Sequence, residues 1–222
     1  MATSPAALIT PQPLEDPLAY MTCSSVLEFK KNEIIYGPDQ PSTSLYLIVG
    51  GKVKVQRIQD DSGEVLVDIY CTDEFFGDSA LIASPGINEM AVAVEDNTAV
   101  MVCTGAVVEN FMMRRPRLGI ALVQMLTQRC VHLSRRIESC ASDNIERRLA
   151  RTLIHFSERL GRAREDGSVE MMPLTHELFS QYVGTSREIV TYYMNQFRRQ
   201  GYVRYSRKAI VLYPDAIKKS LS

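Results

Sequence analysis

LTHELFSQYVGTSREIVTYYMNQFRRQGYVRYSRKAIVLY, residues 174–213, alternates helical punctuation with a basic turn. Thr175 can cap a short helix over His176 to Tyr182, since its hydroxyl can accept from an otherwise orphaned backbone N–H. Val183-Gly184-Thr185 then makes a tight turn, with glycine where a positive φ is needed. A second helix is expected from Ser186 to Gln200, its buried stripe read as Ile189, Val190, Met194 and Phe197, and Gly201 stops it. Tyr202 to Tyr205 and Ala209 to Tyr213 flank Ser206-Arg207-Lys208, a β-hairpin with a cationic tip. Helix, glycine turn, helix and basic hairpin make up a winged helix-turn-helix. In such a unit the second helix can enter the major groove of a duplex while the hairpin tip meets phosphates.

Upstream, Pro116 opens a long helical stretch interrupted only by Gly119 before Gly161. Val123, Leu126, Cys130, Leu133, Ile137 and Cys140 recur at alternating steps of three and four, a narrow seam suited to pairing with an identical helix. Arg129, Arg135, Arg136 and Glu138 lie off that seam, and the flanking Leu122 and Met125 are expected to pack on the chain's own N-terminal domain. A further helix follows over Asn144 to Leu160, with Ile145, Leu149, Leu153 and Phe156 on one face.

Before Arg115 the pattern is of short strands and turns. Ile34 to Tyr36, Leu45 to Val49, Lys52 to Val55, Glu64 to Ile69, Met90 to Val94 and Ala99 to Cys103 are separated by Gly, Pro, Asp and Asn clusters such as Asp60-Asp61-Ser62-Gly63. That spacing indicates a jelly-roll β-barrel. The expected fold is α+β, with a β-roll over 1–115, a dimerisation helix over 116–141 and a winged helix-turn-helix over 142–222.

The chain of 222 residues is 45% hydrophobic and 23% charged, as in a soluble globular protein. It has no apolar run of membrane-spanning length, and Met1 to Pro13 lacks the features of a secretory signal, so a cytoplasmic location without a membrane partner is expected. Cys23, Cys71, Cys103, Cys130 and Cys140 are scattered and odd in number, which favours reduced thiols. The net charge of -1 conceals an asymmetry: Met1 to Arg115 carries 7 basic and 16 acidic residues, Pro116 to Ser222 carries 18 and 10. The cationic half is the one suited to a polyanion.

Gly184-Thr185-Ser186-Arg187-Glu188-Ile189-Val190 resembles the recognition-helix signature of CRP/FNR transcription regulators. Gly51-Lys52-Val53-Lys54-Val55 and Phe75-Phe76-Gly77-Asp78-Ser79-Ala80-Leu81 resemble that family's β-roll motifs, and the likeness runs in order from about Val26 to Leu212. The resemblance implies a homodimer that binds palindromic double-stranded DNA and has RNA polymerase as a further partner. It places Ser186 on a phosphate and Arg187 and Glu188 at base edges, where arginine can fork onto guanine and glutamate can accept from cytosine. Glu188, three residues after Thr185, could instead complete a capping box. Thr175, Thr185 and Thr191 border this surface, and Arg207 and Lys208 form the hairpin tip. Tyr192 stands where the family commonly carries a second base-reading arginine.

The family's effector pocket falls on Gly77, Asp78, Ser79, Ala80, Glu89, Met90, Leu133 and Ser134. Glu89-Met90 replaces the pair that would hold a cyclic phosphate, and an acidic side chain there repels the anion. Cyclic AMP is therefore not the expected effector. Only Cys23 lies where an N-terminal iron–sulfur cluster would need several cysteines, and His132, His155 and His176 read as surface or structural residues rather than haem ligands. Another small molecule, or none, remains for the β-roll. Two other classes compete with the DNA-binding regulator. One is a ligand-binding signalling module without DNA contact. The other is a cupin-like enzyme, disfavoured because no histidine precedes Arg115.

Overall fold

A computed structural model describes residues 25–59, 63–82 and 88–221. Met1 to Pro13, Cys23 and the turn residues Asp60 to Ser62 lie outside the described residues. Two four-stranded antiparallel sheets form the N-terminal β-roll. One runs β1 (Val26–Phe29), β8 (Thr98–Thr104), β3 (Ser44–Gly50), β6 (Phe75–Phe76). The other runs β2 (Ile34–Tyr36), β7 (Glu89–Ala93), β4 (Lys52–Gln59), β5 (Gly63–Cys71).

Strand periodicity sorts the residues of β3 into two cores. Tyr46 and Ile48 point between the sheets, with Tyr36, Val53, Val55, Tyr70 and Phe76. Leu45 and Leu47 point outward, against Val108 of α1 (Gly105–Arg114) and Leu118 and Leu122 of α2 (Pro116–Ser142). The long helix is thus fixed to the β-roll at its N-terminal end, and Leu122 and Met125 pack there as expected. Beyond this point much of the seam is bare in the single chain: Val123 is 64% exposed and Ile137 70%, with Leu133 also exposed, and Ile120 and Val131 are exposed off the seam. Cys130 and Cys140 are exposed on the same helix, while Leu126 is half-buried.

Asn144 caps α3 (Ile145–Leu160), its side chain accepting from Arg147 N at 2.9 Å. Leu149, Leu153 and Phe156 are fully buried, as their spacing predicts. β9 (Gly161–Ala163) starts at once and pairs with β10 (Val169–Met171).

The C-terminal domain closes directly on the β-roll. Leu66 and Ile69 of β5 join the core built around Leu153, Phe156, Phe179 and Tyr182. Two arginines ring this contact. Arg159 donates to Asp68 Oδ2 at 2.6 Å and to Glu74 at 2.7 Å, and Arg136 donates to the carbonyls of Leu66, Val67 and Tyr182 at 2.8–3.1 Å. Truncating Phe156, which has zero exposure at the centre of this core, should cost about 3–5 kcal/mol. Denaturant unfolding of Phe156→Ala checks this, and a loss below about 1 kcal/mol would contradict the packing described.

Candidate nucleic-acid interface

The reading head is built from two capped helices. Thr175 Oγ1 accepts from Leu178 N at 3.1 Å and starts α4 (His176–Val183). Gly184 ends it in the left-handed region, at φ 73° and ψ 56°, its N–H donating to Ser180 O at 2.9 Å. Ser186 then caps α5 (Arg187–Arg199), accepting from Ile189 N at 3.4 Å. With Ser186 as the cap, the box centred on Thr185 does not form. Glu188 lies in the first turn, where its own backbone N–H and then the Ser186 hydroxyl hold its carboxyl below the usual range.

Val190, Met194 and Phe197 are buried at helical spacing against α3 and the hairpin. Ile189 departs from the expected stripe: it is 37% exposed, because it sits about 100° around the helix from Val190. On the outer side, Ser186, Arg187, Glu188 and Tyr192 are exposed, Tyr192 at 66%. Thr185 is half-buried. Thr191 is also half-buried, and its hydroxyl donates to Arg187 O at 2.8 Å while lying 2.8 Å from His176 Nδ1. Burial and then the Arg187 charge lower the pKa of His176, so this imidazole stays neutral and supports the helix pair.

The hairpin joins β11 (Val203–Tyr205) to β12 (Ile210–Leu212), in a sheet of order β11-β12-β10-β9. Ser206 Oγ accepts from Lys208 N and Ala209 N, both at 3.2 Å, which turns Arg207 and Lys208 outward. Among the described residues no carboxylate is ion-paired with Arg187, Arg207 or Lys208. Surface cations without partners next to a capped helix N-terminus suit a polyanion.

The residues of the expected effector pocket gather only in part. Gly77 has φ 74°, and a Cβ there would meet Ser44 O at 2.6 Å, so the turn requires glycine. Asp78, Ser79 and Ala80 follow in a short 3-10 helix, Asp78–Ile82. Asp78 accepts from Arg129 Nη1 at 2.7 Å, while Arg129 Nη2 donates to Phe75 O at 2.6 Å and the guanidinium lies 4.7 Å from the Tyr70 ring centroid. Glu89 accepts from the Tyr36 hydroxyl at 2.5 Å, and Met90 is half-buried beside it on β7. Leu133 and Ser134 are exposed on α2, about a turn beyond Arg129. Sequence reading placed Arg129 off the seam without a partner; its neighbours are 51–54 residues away, and no local pattern announces them.

No described helix is long and apolar enough to cross a membrane. Residues 26–115 match the cyclic nucleotide-binding domain model and residues 147–220 the Crp-like helix-turn-helix domain model. A CRP-like cAMP-activated global transcriptional regulator of Mycobacterium tuberculosis is 25% identical over 84% of this chain and 83% of its own length. Among solved structures, a CRP/FNR family transcriptional regulator from Thermus thermophilus is 25% identical, covering 89% of this chain and 98% of that one, with a TM-score of 0.72. FixK2 from Bradyrhizobium japonicum, 21% identical, shares the fold over 90% and 97% of the two chains, with a TM-score of 0.75. Two domain matches spanning well over half the sequence, joined by one long helix in the family's order, establish that this chain belongs to the CRP/FNR family of DNA-binding transcription regulators.

Proposed function

We propose that the chain acts as a homodimer, each copy presenting α5 to one half of an inverted repeat in duplex DNA. The observation that carries this reading is the exposed row Ser186, Arg187 and Glu188 at the start of α5, with the uncompensated cations Arg207 and Lys208 at the hairpin tip. Ser186 and the tip bind phosphates and set the register, while Arg187 forks onto a guanine and Glu188 accepts from a cytosine. Tyr192 reads shape and apolar base edges, since a phenol cannot replace the bidentate contact of an arginine. Thr175 and Thr185 border the surface, and Thr191 acts chiefly within the protein, through its contacts with Arg187 and His176.

The bare seam on α2 supports the pairing. Val123, Leu133 and Ile137 expose apolar side chains along one line, and a second copy buries them at the hydrophobic gain expected for a helix pair. Two-fold symmetry then places the half-site centres about 34–36 Å apart. Contact with RNA polymerase and a cytoplasmic location accompany this reading.

The β-roll pocket is a poor seat for a cyclic phosphodiester. Glu89 presents a carboxylate where the anion would lie, and it is held there by Tyr36. Arg129 is the guanidinium within the cradle among the described residues, and Asp78 and Phe75 O already engage it. Any signal through the β-roll therefore does not use the phosphate contacts of a cyclic nucleotide. Enzymatic chemistry has no assigned part in this function.

Selection of bound duplexes from a random library tests the whole reading, and enrichment of an inverted repeat is the expected result. No enrichment of any palindrome over scrambled duplex would overturn it. On the selected operator, Arg187→Ala should lose on the order of 1–3 kcal/mol of affinity and relax discrimination at one base pair; a mobility-shift titration reads both. Ile137→Glu places a charge in the seam and should yield monomers in sedimentation. An unchanged dimer would move the interface elsewhere.

A further inference from the structure

Where β5, α2 and α3 meet, each contributes one potential metal ligand to the same point. The ligand atoms of Asp68, His132 and His155 all lie within 4.8 Å of one another. The two imidazoles stack, with centroids 3.9 Å apart and planes 16° apart. His155 Nε2 is buried with no hydrogen-bond partner among the described residues. A buried imidazole nitrogen without a partner forfeits a hydrogen bond it could make in water, so its position calls for an occupant.

We propose that Asp68, His132 and His155 form a binding site for a divalent transition-metal ion of the zinc class. Two imidazoles and a carboxylate suit a borderline cation, and three protein ligands leave a fourth position for water or a hydroxyl. The Tyr182 hydroxyl, 2.7 Å from His132 Nε2, stands next to that position. With bonds of about 2.0–2.2 Å, tetrahedral ligand atoms stand about 3.3–3.6 Å apart. Closing the cluster around an ion therefore takes a contraction of roughly an ångström and a turn of the stacked imidazoles out of parallel, so that both in-plane lone pairs meet one point.

The surroundings already supply supporting contacts. Asp68 Oδ2 accepts from Arg159 and its Oδ1 accepts from Ile69 N at 2.8 Å, yet each carboxylate oxygen keeps a second lone pair for a metal. Glu74 shares the charge of Arg159, which offsets the repulsion between that guanidinium and an arriving cation. An entry route exists as well. His132, Arg136, His155 and Tyr182 line one wall of a cleft of about 670 Å³ between α2 and the C-terminal domain. Because the three ligands belong to three different segments, an ion here ties the reading domain to the β-roll. Binding of this ion becomes a second input to DNA reading beside the β-roll pocket.

The test is a Zn²⁺ titration of the full-length protein against a chromophoric chelator, with Co²⁺ substitution as an independent spectroscopic readout. One ion should bind per chain. His132→Asn and His155→Gln should each weaken binding by at least the roughly 10- to 100-fold that loss of a mere supporting partner costs. The Co²⁺ spectrum of the unaltered protein should be that of a nitrogen and oxygen site, without a thiolate charge-transfer band. Absence of stoichiometric binding, unchanged affinity in both variants, or a thiolate band would each overturn the assignment. No DNA is present in these measurements, so the metal site and the operator reading fail or stand separately.

Discussion

The orientation of the reading head depends on one half-buried ion cluster, Arg159 of α3 gripping the buried Asp68 of β5 and the partly exposed Glu74 just beyond it. Burying such charges forfeits hydration on a scale comparable to their mutual attraction, so the cluster adds little net stability as a whole. Removing one partner is different. Loss of Arg159 strands the buried Asp68 carboxylate, at a cost that solvent reaching the site brings below the roughly 3–5 kcal/mol of a fully buried pair. The grip therefore excludes docking arrangements in which α3 leaves β5, while Leu66 and Ile69 supply the apolar contact beneath it. Arg136 acts from a second direction, holding strand carbonyls and the end of α4 together and lying 4.0 Å from the Tyr182 ring centroid.

Both the cradle at Asp78 and this docking contact are reached from the same helix. Along α2, Leu118 and Leu122 anchor to the β-roll, Arg129 enters the cradle at Asp78, and His132 and Arg136 meet the C-terminal domain. The neighbouring line of Val123, Leu133 and Ile137 is exposed in the single chain. One helix thus meets the β-roll and the C-terminal domain along one face, and the Asp78 turn touches it both through Arg129 and through the packing of Ala80 and Leu81 near Leu118 and Leu122.

What the sequence disclosed follows from how local each signal is. The helix cap at Thr175, the glycine at 184 and the serine turn at 206 act within four residues, and all stand where reading places them; the cap at Asn144 is just as local, though reading marks it only as the start of a helix. The two jelly-roll sheets were legible as alternation, although their pairing order was not. Ile189 was misplaced because a stripe of adjacent apolar residues cannot by itself say which one turns outward. The Thr185 capping box yielded to Ser186, which stands one residue closer to the helix. The ion cluster and the paired histidines left no trace in the pattern. Asp68 and Arg159 are 91 residues apart, and their meeting is decided by the docking of two domains.

The length of α2 has a mechanical consequence. Its 27 residues make a rod roughly 40 Å long, held by the apolar contacts of Leu118 and Leu122 and again, farther along, by Arg129 and Arg136. From Leu122 to Ser142 is about 30 Å, so a tilt of about 10° that released the Arg136 contacts would move the far end by roughly 5 Å, about one and a half base-pair steps of duplex. The stiffness of an uninterrupted helix thus converts small angles into displacements on the scale at which DNA repeats.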